Sequence, residues 1–115
     1  MSESRYVVRP KADRDLEDQA YYYATEATPE VGHRFLVAAH DTFALLATQP
    51  NMGWQSRLKH AELKLLHVFR VKGFERILIL YLPLLDGVEI LRVVHGSRTL
   101  RALLRPRGFG VSRTK

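Results

Sequence analysis

The chain has 115 residues, 46% of them hydrophobic and 26% charged, enough for one domain with one modest core and too few for two. It has no cysteine, which excludes disulfides and thiolate metal sites and fits a reducing cytoplasm. The net charge of +6 is localised, because Arg98, Arg101, Arg105, Arg107, Arg113 and Lys115 lie beyond Gly96 with no acid among them, while the residues before Gly96 sum to zero.

Tyr6-Val7-Val8-Arg9 is a short β-prone stretch ended by Pro10 and reads as a first strand near a sheet edge. Pro10 fits the first turn of a helix. Ala12, Leu16, Gln19/Ala20 and Tyr23 recur at helical spacing, which predicts a helix over 11–25. The early acids Asp13, Asp15, Glu17 and Asp18 suit its N-terminal half and read as a solvated face. Thr28-Pro29-Glu30 is a strong helix start, with Thr28 as cap and Pro29 at the first helical position. Val31, Phe35, Ala38/Ala39, Thr42 and Leu45/Leu46 follow at helical spacing, and Leu36, Phe43 and Ala47 widen the stripe. The second helix should span 29–48 and pair with the first as an antiparallel hairpin.

Gln49-Pro50-Asn51-Met52-Gly53 stops that helix. Three β-rich runs follow, over 65–71, 76–82 and 88–95, separated by Lys72-Gly73-Phe74-Glu75 and by Asp86-Gly87, a strong hairpin signal. The last run, Val88 to Val94, is apolar on both faces and reads as a central strand. Beyond it, Leu100, Leu103 and Leu104 oppose Arg98, Arg101 and Arg105, which predicts a short amphipathic helix ended by Pro106, with a frayed basic tail over 106–115. The expected fold class is α+β: an N-terminal strand and a helical hairpin packed on a mainly antiparallel sheet of about four strands, in the order β-α-α-β-β-β plus a short C-terminal helix. Residues 1–115 form one unit without repeats.

Several chemistries lack their residues. No glycine pattern forms a phosphate loop. His33 and His40 are seven residues apart, the wrong spacing for helical metal ligands, so no metal or other cofactor is expected. Met1-Ser2-Glu3-Ser4-Arg5 lacks a signal-peptide core, and the apolar run Ile77 to Leu85 is too short to span a bilayer. A cytoplasmic protein with no membrane partner is the expectation.

The stretch Leu91-Arg92-Val93-Val94-His95-Gly96-Ser97-Arg98 resembles the end of the ParE branch of the RelE/ParE toxin superfamily. Asp15-Leu16 in the first helix, Phe35 to Leu46 in the second, the Pro50-Asn51-Met52-Gly53 turn and the Arg76-Ile77-Leu78-Ile79-Leu80-Tyr81 strand match it in order, over about residues 5 to 100. The resemblance implies a helical hairpin on an antiparallel sheet, and a toxin neutralised by a small, acidic antitoxin, partly disordered until bound, within a toxin–antitoxin hetero-oligomer. ParE-like members bind DNA gyrase, whereas RelE-like members are ribosome-dependent ribonucleases, and a shared fold cannot choose between them.

A metal-independent nuclease would draw on Arg70, Arg76, Tyr81, Arg92, His95 and Arg98 to activate a 2′-hydroxyl and hold phosphorane charge. Strand alternation puts Arg92 with Ile90 and Val94, and His95 with Leu91 and Val93, on opposite faces. The strand from Ile77 to Leu82 offers no supporting cations. His95 therefore reads first as a strand-end residue, with acid–base chemistry or a partner contact as alternatives. Tyr81 reads as a packing residue with its hydroxyl at the rim. Gyrase inhibition is the preferred reading, with RNA cleavage or an inactive dimerising module as alternatives. Phe35, Leu36, Phe43 and Leu46 are candidate antitoxin anchors, and Arg98, Arg101 and Arg105 are candidate target contacts.

Overall fold

A computed structural model describes residues 4–55 and 65–96. Its elements are β1 (Arg5–Val8), α1 (Pro10–Glu26), α2 (Pro29–Thr48), β2 (Trp54–Gln55), β3 (His67–Val71), β4 (Phe74–Leu84) and β5 (Gly87–His95). The helix starts follow from local chemistry. Pro10 opens α1 and Pro29 opens α2, and the Thr28 hydroxyl accepts the Val31 N–H at 3.2 Å, which satisfies one of the donors a helix start leaves over. The helices form the expected hairpin. A side chain at Gly32 would meet the Ala20 carbonyl oxygen at 2.7 Å, so glycine permits their close approach.

The strands form one mixed sheet in the order β1-β5-β4-β3-β2. β1 pairs parallel with β5, and the other three pairings are antiparallel. The α+β expectation holds, with five strands rather than about four. The addition is β2, two residues long, which pairs Trp54 with Val68 and Gln55 with His67. The second hairpin also closes differently from the Asp86-Gly87 expectation. Leu84 pairs with Gly87, so the two-residue turn is Leu85-Asp86, and Gly87 (φ 153°) belongs to β5. An added side chain there would collide with the backbone of Arg5 on β1. The predicted helix around Leu100 to Pro106 and the tail over 106–115 lie outside the described residues.

α2 crosses one face of the sheet and α1 packs beside it on α2 and β5. Phe35, Phe43 and Leu46 of α2 are fully buried, with Ile77, Ile79 and Tyr81 of β4 and Val88, Ile90 and Val93 of β5 in the same core. Each such side chain contributes about 1.5–3 kcal/mol by leaving water. The width of the α2 stripe thus answers to the sheet and α1. Of the four candidate antitoxin anchors only Leu36 is half-exposed; Phe35, Phe43 and Leu46 are inside the chain's own core and offer no groove. Leu66, Val68, Leu78, Leu80 and Val94 form a separate buried cluster, joined by the half-buried Leu82 and Leu91.

The strict alternation expected of β5 fails at one residue. Leu80 pairs with Arg92 but Tyr81 pairs with Ile90, so Leu91 is an extra residue, a β-bulge. Val93 consequently joins Val88 and Ile90 in the helix-facing core, while Val94 joins Leu91 in the other cluster. The expected grouping of Ile90 with Val94 and of Leu91 with Val93 is overturned. A run apolar on both faces carries no mark of such a slip.

Candidate functional site

β5 is shielded by β1 only as far as Ile90, the partner of Val8. Beyond that point its outer edge would be left with an unpaired N–H, an arrangement that costs free energy when buried. The chain turns from β1 into α1 there, and α1 presents Asp15 to that edge. Asp15 Oδ2 accepts the Val93 N–H at 2.9 Å. The same carboxylate takes two bonds from Arg92, Nε at 2.7 Å and Nη2 at 3.0 Å. The side chains are 29% and 15% exposed, so the pair is substantially withdrawn from water, and the bidentate geometry is the strong form of an arginine–carboxylate contact. Asp15 holds the already high Arg92 pKa higher still, chiefly through the hydrogen bond. Asp15, expected on a solvated face, is instead the tie between α1 and the bulged end of β5.

Tyr81 is fully buried rather than at the rim. Its hydroxyl donates to the Pro50 carbonyl at 2.7 Å and accepts the Gly53 N–H at 3.0 Å. Burial pushes its pKa up, and the Gly53 N–H partly offsets that. The Pro50-Asn51-Met52-Gly53 turn is thus pinned at both ends by one phenol. A side chain at Gly53 would lie 2.5 Å from the Val68 carbonyl oxygen and 2.6 Å from the Tyr81 hydroxyl, so only glycine fits beneath it.

The remaining described candidates are apart. Arg70 pairs with Leu78 on the face of the second cluster, where its guanidinium lies 5.2 Å from the centroid of the half-exposed Trp54 ring. His95 pairs with Ile77, a residue of the helix-facing core, and is exposed at the end of β5. Arg76 is exposed beside the start of that pairing and lowers the pKa of Tyr23, an effect smaller than the rise caused by burial. Arg98, Arg101 and Arg105 lie outside the described residues. Of the five described members of the nuclease set, Tyr81 has its hydroxyl and Arg92 two of its three guanidinium nitrogens bonded internally, and Arg70 and His95 belong to opposite faces.

One concave feature accompanies this group. Asp18, Gln19 and Tyr22 of α1 and His95 of β5 line an open depression of about 360 Å³. His95 lies at the end of β5, where α1 supplies its neighbours. A partnership between residues so far apart in the chain leaves no periodic signal.

The comparisons agree with this architecture. A family model described as "ParE toxin of type II toxin-antitoxin system, parDE" matches residues 6–100. Among solved structures, one described as "Chromosomal ParDE TA system from P. aeruginosa" superposes with a TM-score of 0.66 at 14% sequence identity, covering 82% of this chain and 97% of that one. That likeness shows the fold. No curated protein matches the sequence.

Proposed function

We propose that this chain, which belongs to the ParE family of type II toxin–antitoxin toxins, arrests growth by binding DNA gyrase and is neutralised by a cognate antitoxin. The observation that carries the choice of binding over RNA cleavage is the commitment of the polar atoms a nuclease would need. Metal-free cleavage requires a base, an acid and a charge-stabilising group around one phosphate. The Arg92 guanidinium is tied bidentately to Asp15, the Tyr81 hydroxyl is buried on Pro50 and Gly53, and Arg70 lies across the sheet from His95. An inhibitor that occupies its target needs a complementary surface and no such convergence.

The basic stretch Arg98, Arg101 and Arg105 supplies charge for that surface, through the fork-like pairing of arginine with carboxylates or phosphates. The site of action is the cytoplasm, where gyrase is found; no described helix is long and apolar enough to cross a membrane. Expression of the chain alone in a bacterial host should arrest growth, and co-expression with the gene beside its own should restore it. His95→Ala should leave the arrest intact. Normal growth under strong solo expression would contradict the toxin reading, and loss of arrest in a folded His95→Ala protein would favour the nuclease.

A further inference from the structure

β1 is an edge strand: β5 lies on one side of it and no described strand on the other. Its peptide groups divide accordingly. Arg5 donates its N–H to the Asp86 carbonyl at 2.9 Å and Arg9 to the Ile90 carbonyl at 3.0 Å, so the odd-numbered residues face β5. Peptide groups alternate in direction along a strand of a parallel pair, and the N–H and C=O of Tyr6 and Val8 therefore point outward. Such a row is a template for an added strand unless something blunts it. β1 holds no proline and keeps an unbroken register with β5. The side chains of Tyr6 and Val8 pack against the helix-facing core, which anchors the edge in its extended form.

The other face of β1 carries a pattern. Alternation puts Arg5, Val7 and Arg9 together there, with Arg9 still extended at φ −69° and ψ 155°. Arg5 and Arg9 are 60% and 53% exposed and Val7 is 38% exposed. Each arginine bonds its carboxylate through Nε alone. The fork of two Nη nitrogens on each has no hydrogen bond among the described residues, and a guanidinium fork matches a carboxylate. A strand laid beside β1 would place its own side chains on that face with the same two-residue period, opposite those of β1. Cation, apolar, cation is answered there by acid, apolar, acid. A second copy of β1, laid antiparallel about Val7, would instead set Arg5 opposite Arg9, and like charges so placed are destabilising. Resting on the toxin reading above, we infer that the outer edge of β1 receives an extended segment of the antitoxin as an added strand, one whose alternate residues run acid, apolar, acid. Main-chain bonds to Tyr6 and Val8 hold the segment, and Arg5, Val7 and Arg9 select it. The net charge of +6 on the chain favours an acidic segment over a basic one.

The test uses the full-length chain and the antitoxin encoded beside it. In amide hydrogen exchange, Tyr6 and Val8 should exchange rapidly in the free chain and about tenfold or more slowly in the complex. The Val7 amide, which faces β5, should be protected in both. Val7→Lys and the double substitution Arg5→Gln with Arg9→Gln should each weaken antitoxin binding about tenfold or more, with melting temperatures unchanged within error. A tight complex in which the Tyr6 and Val8 amides exchange as fast as in the free chain would overturn the added strand and leave the toxin reading standing. A tight complex indifferent to both variants would overturn the selection by Arg5, Val7 and Arg9. Failure of the wild-type chain to bind the antitoxin would overturn the toxin reading, and the added strand with it.

Discussion

β5 is held by arginine–carboxylate pairs at both ends, and the two ends are not equivalent. Near its start, Arg5 reaches Asp86 at 2.8 Å and Arg9 reaches Glu89 at 2.6 Å. Those arginines are 60% and 53% exposed. Such pairs contribute little, because water screens them and two long side chains must be ordered. Near its end, the Asp15–Arg92 pair is mostly withdrawn from solvent and the carboxylate also satisfies a backbone N–H. The difference teaches that distance alone ranks nothing: the shortest contact belongs to the weaker class, and the strong tie is the one whose loss strands buried groups.

Substitutions can break that contrast. Asp15→Ala removes the partner of Arg92 and of the Val93 N–H together, and should destabilise by about 2–4 kcal/mol in urea unfolding, within the range for breaking a largely buried pair. Asp15→Asn keeps an acceptor for Val93 and should cost less; equal losses would show that charge, not the backbone bond, carries the tie. Tyr81→Phe leaves the Pro50 carbonyl and Gly53 N–H without their shared partner and should cost about 1–3 kcal/mol. Its pH signature is separate. The folded-state pKa of Tyr81 lies above the ordinary value of 10.0, so its contribution is full below that value and is lost as pH rises through the folded one. The alkaline fall in stability should shrink in the phenylalanine variant.

The smallest effect belongs to the exposed pair. The hydrogen bond from Arg5 lowers the Asp86 pKa below its ordinary 3.8. Asp86 therefore contributes above 3.8 and loses its contribution as pH falls through the lower value. Asp86→Asn should leave the melting temperature at neutral pH and moderate salt unchanged within error, and a loss as large as that of Asp15→Ala would break the contrast.

Local signals in the sequence carried the helices, the three long strands and the α+β class. Pro10, Pro29 and Thr28 mark helix starts within a few residues of the chemistry that makes them. What escaped was set by distance or by symmetry of pattern. The Arg92 partner is 77 residues away, and those of the Tyr81 hydroxyl are 31 and 28 away. No spacing rule reaches that far. The bulge at Leu91 hid in a strand apolar on both faces, where either register buries apolar groups. The broad stripe of α2 suggested a groove for a partner, but Phe35, Phe43 and Leu46 serve the internal core, because a helix lying across a sheet and beside another helix needs more than one narrow seam.

A toxin that occupies its target and one that cuts RNA leave different products in the same pair of assays. Purified toxin should be tested side by side for inhibition of gyrase supercoiling and for cleavage of mRNA on translating ribosomes. Inhibited supercoiling with intact mRNA is the predicted result; cleaved mRNA with unimpaired supercoiling would contradict it.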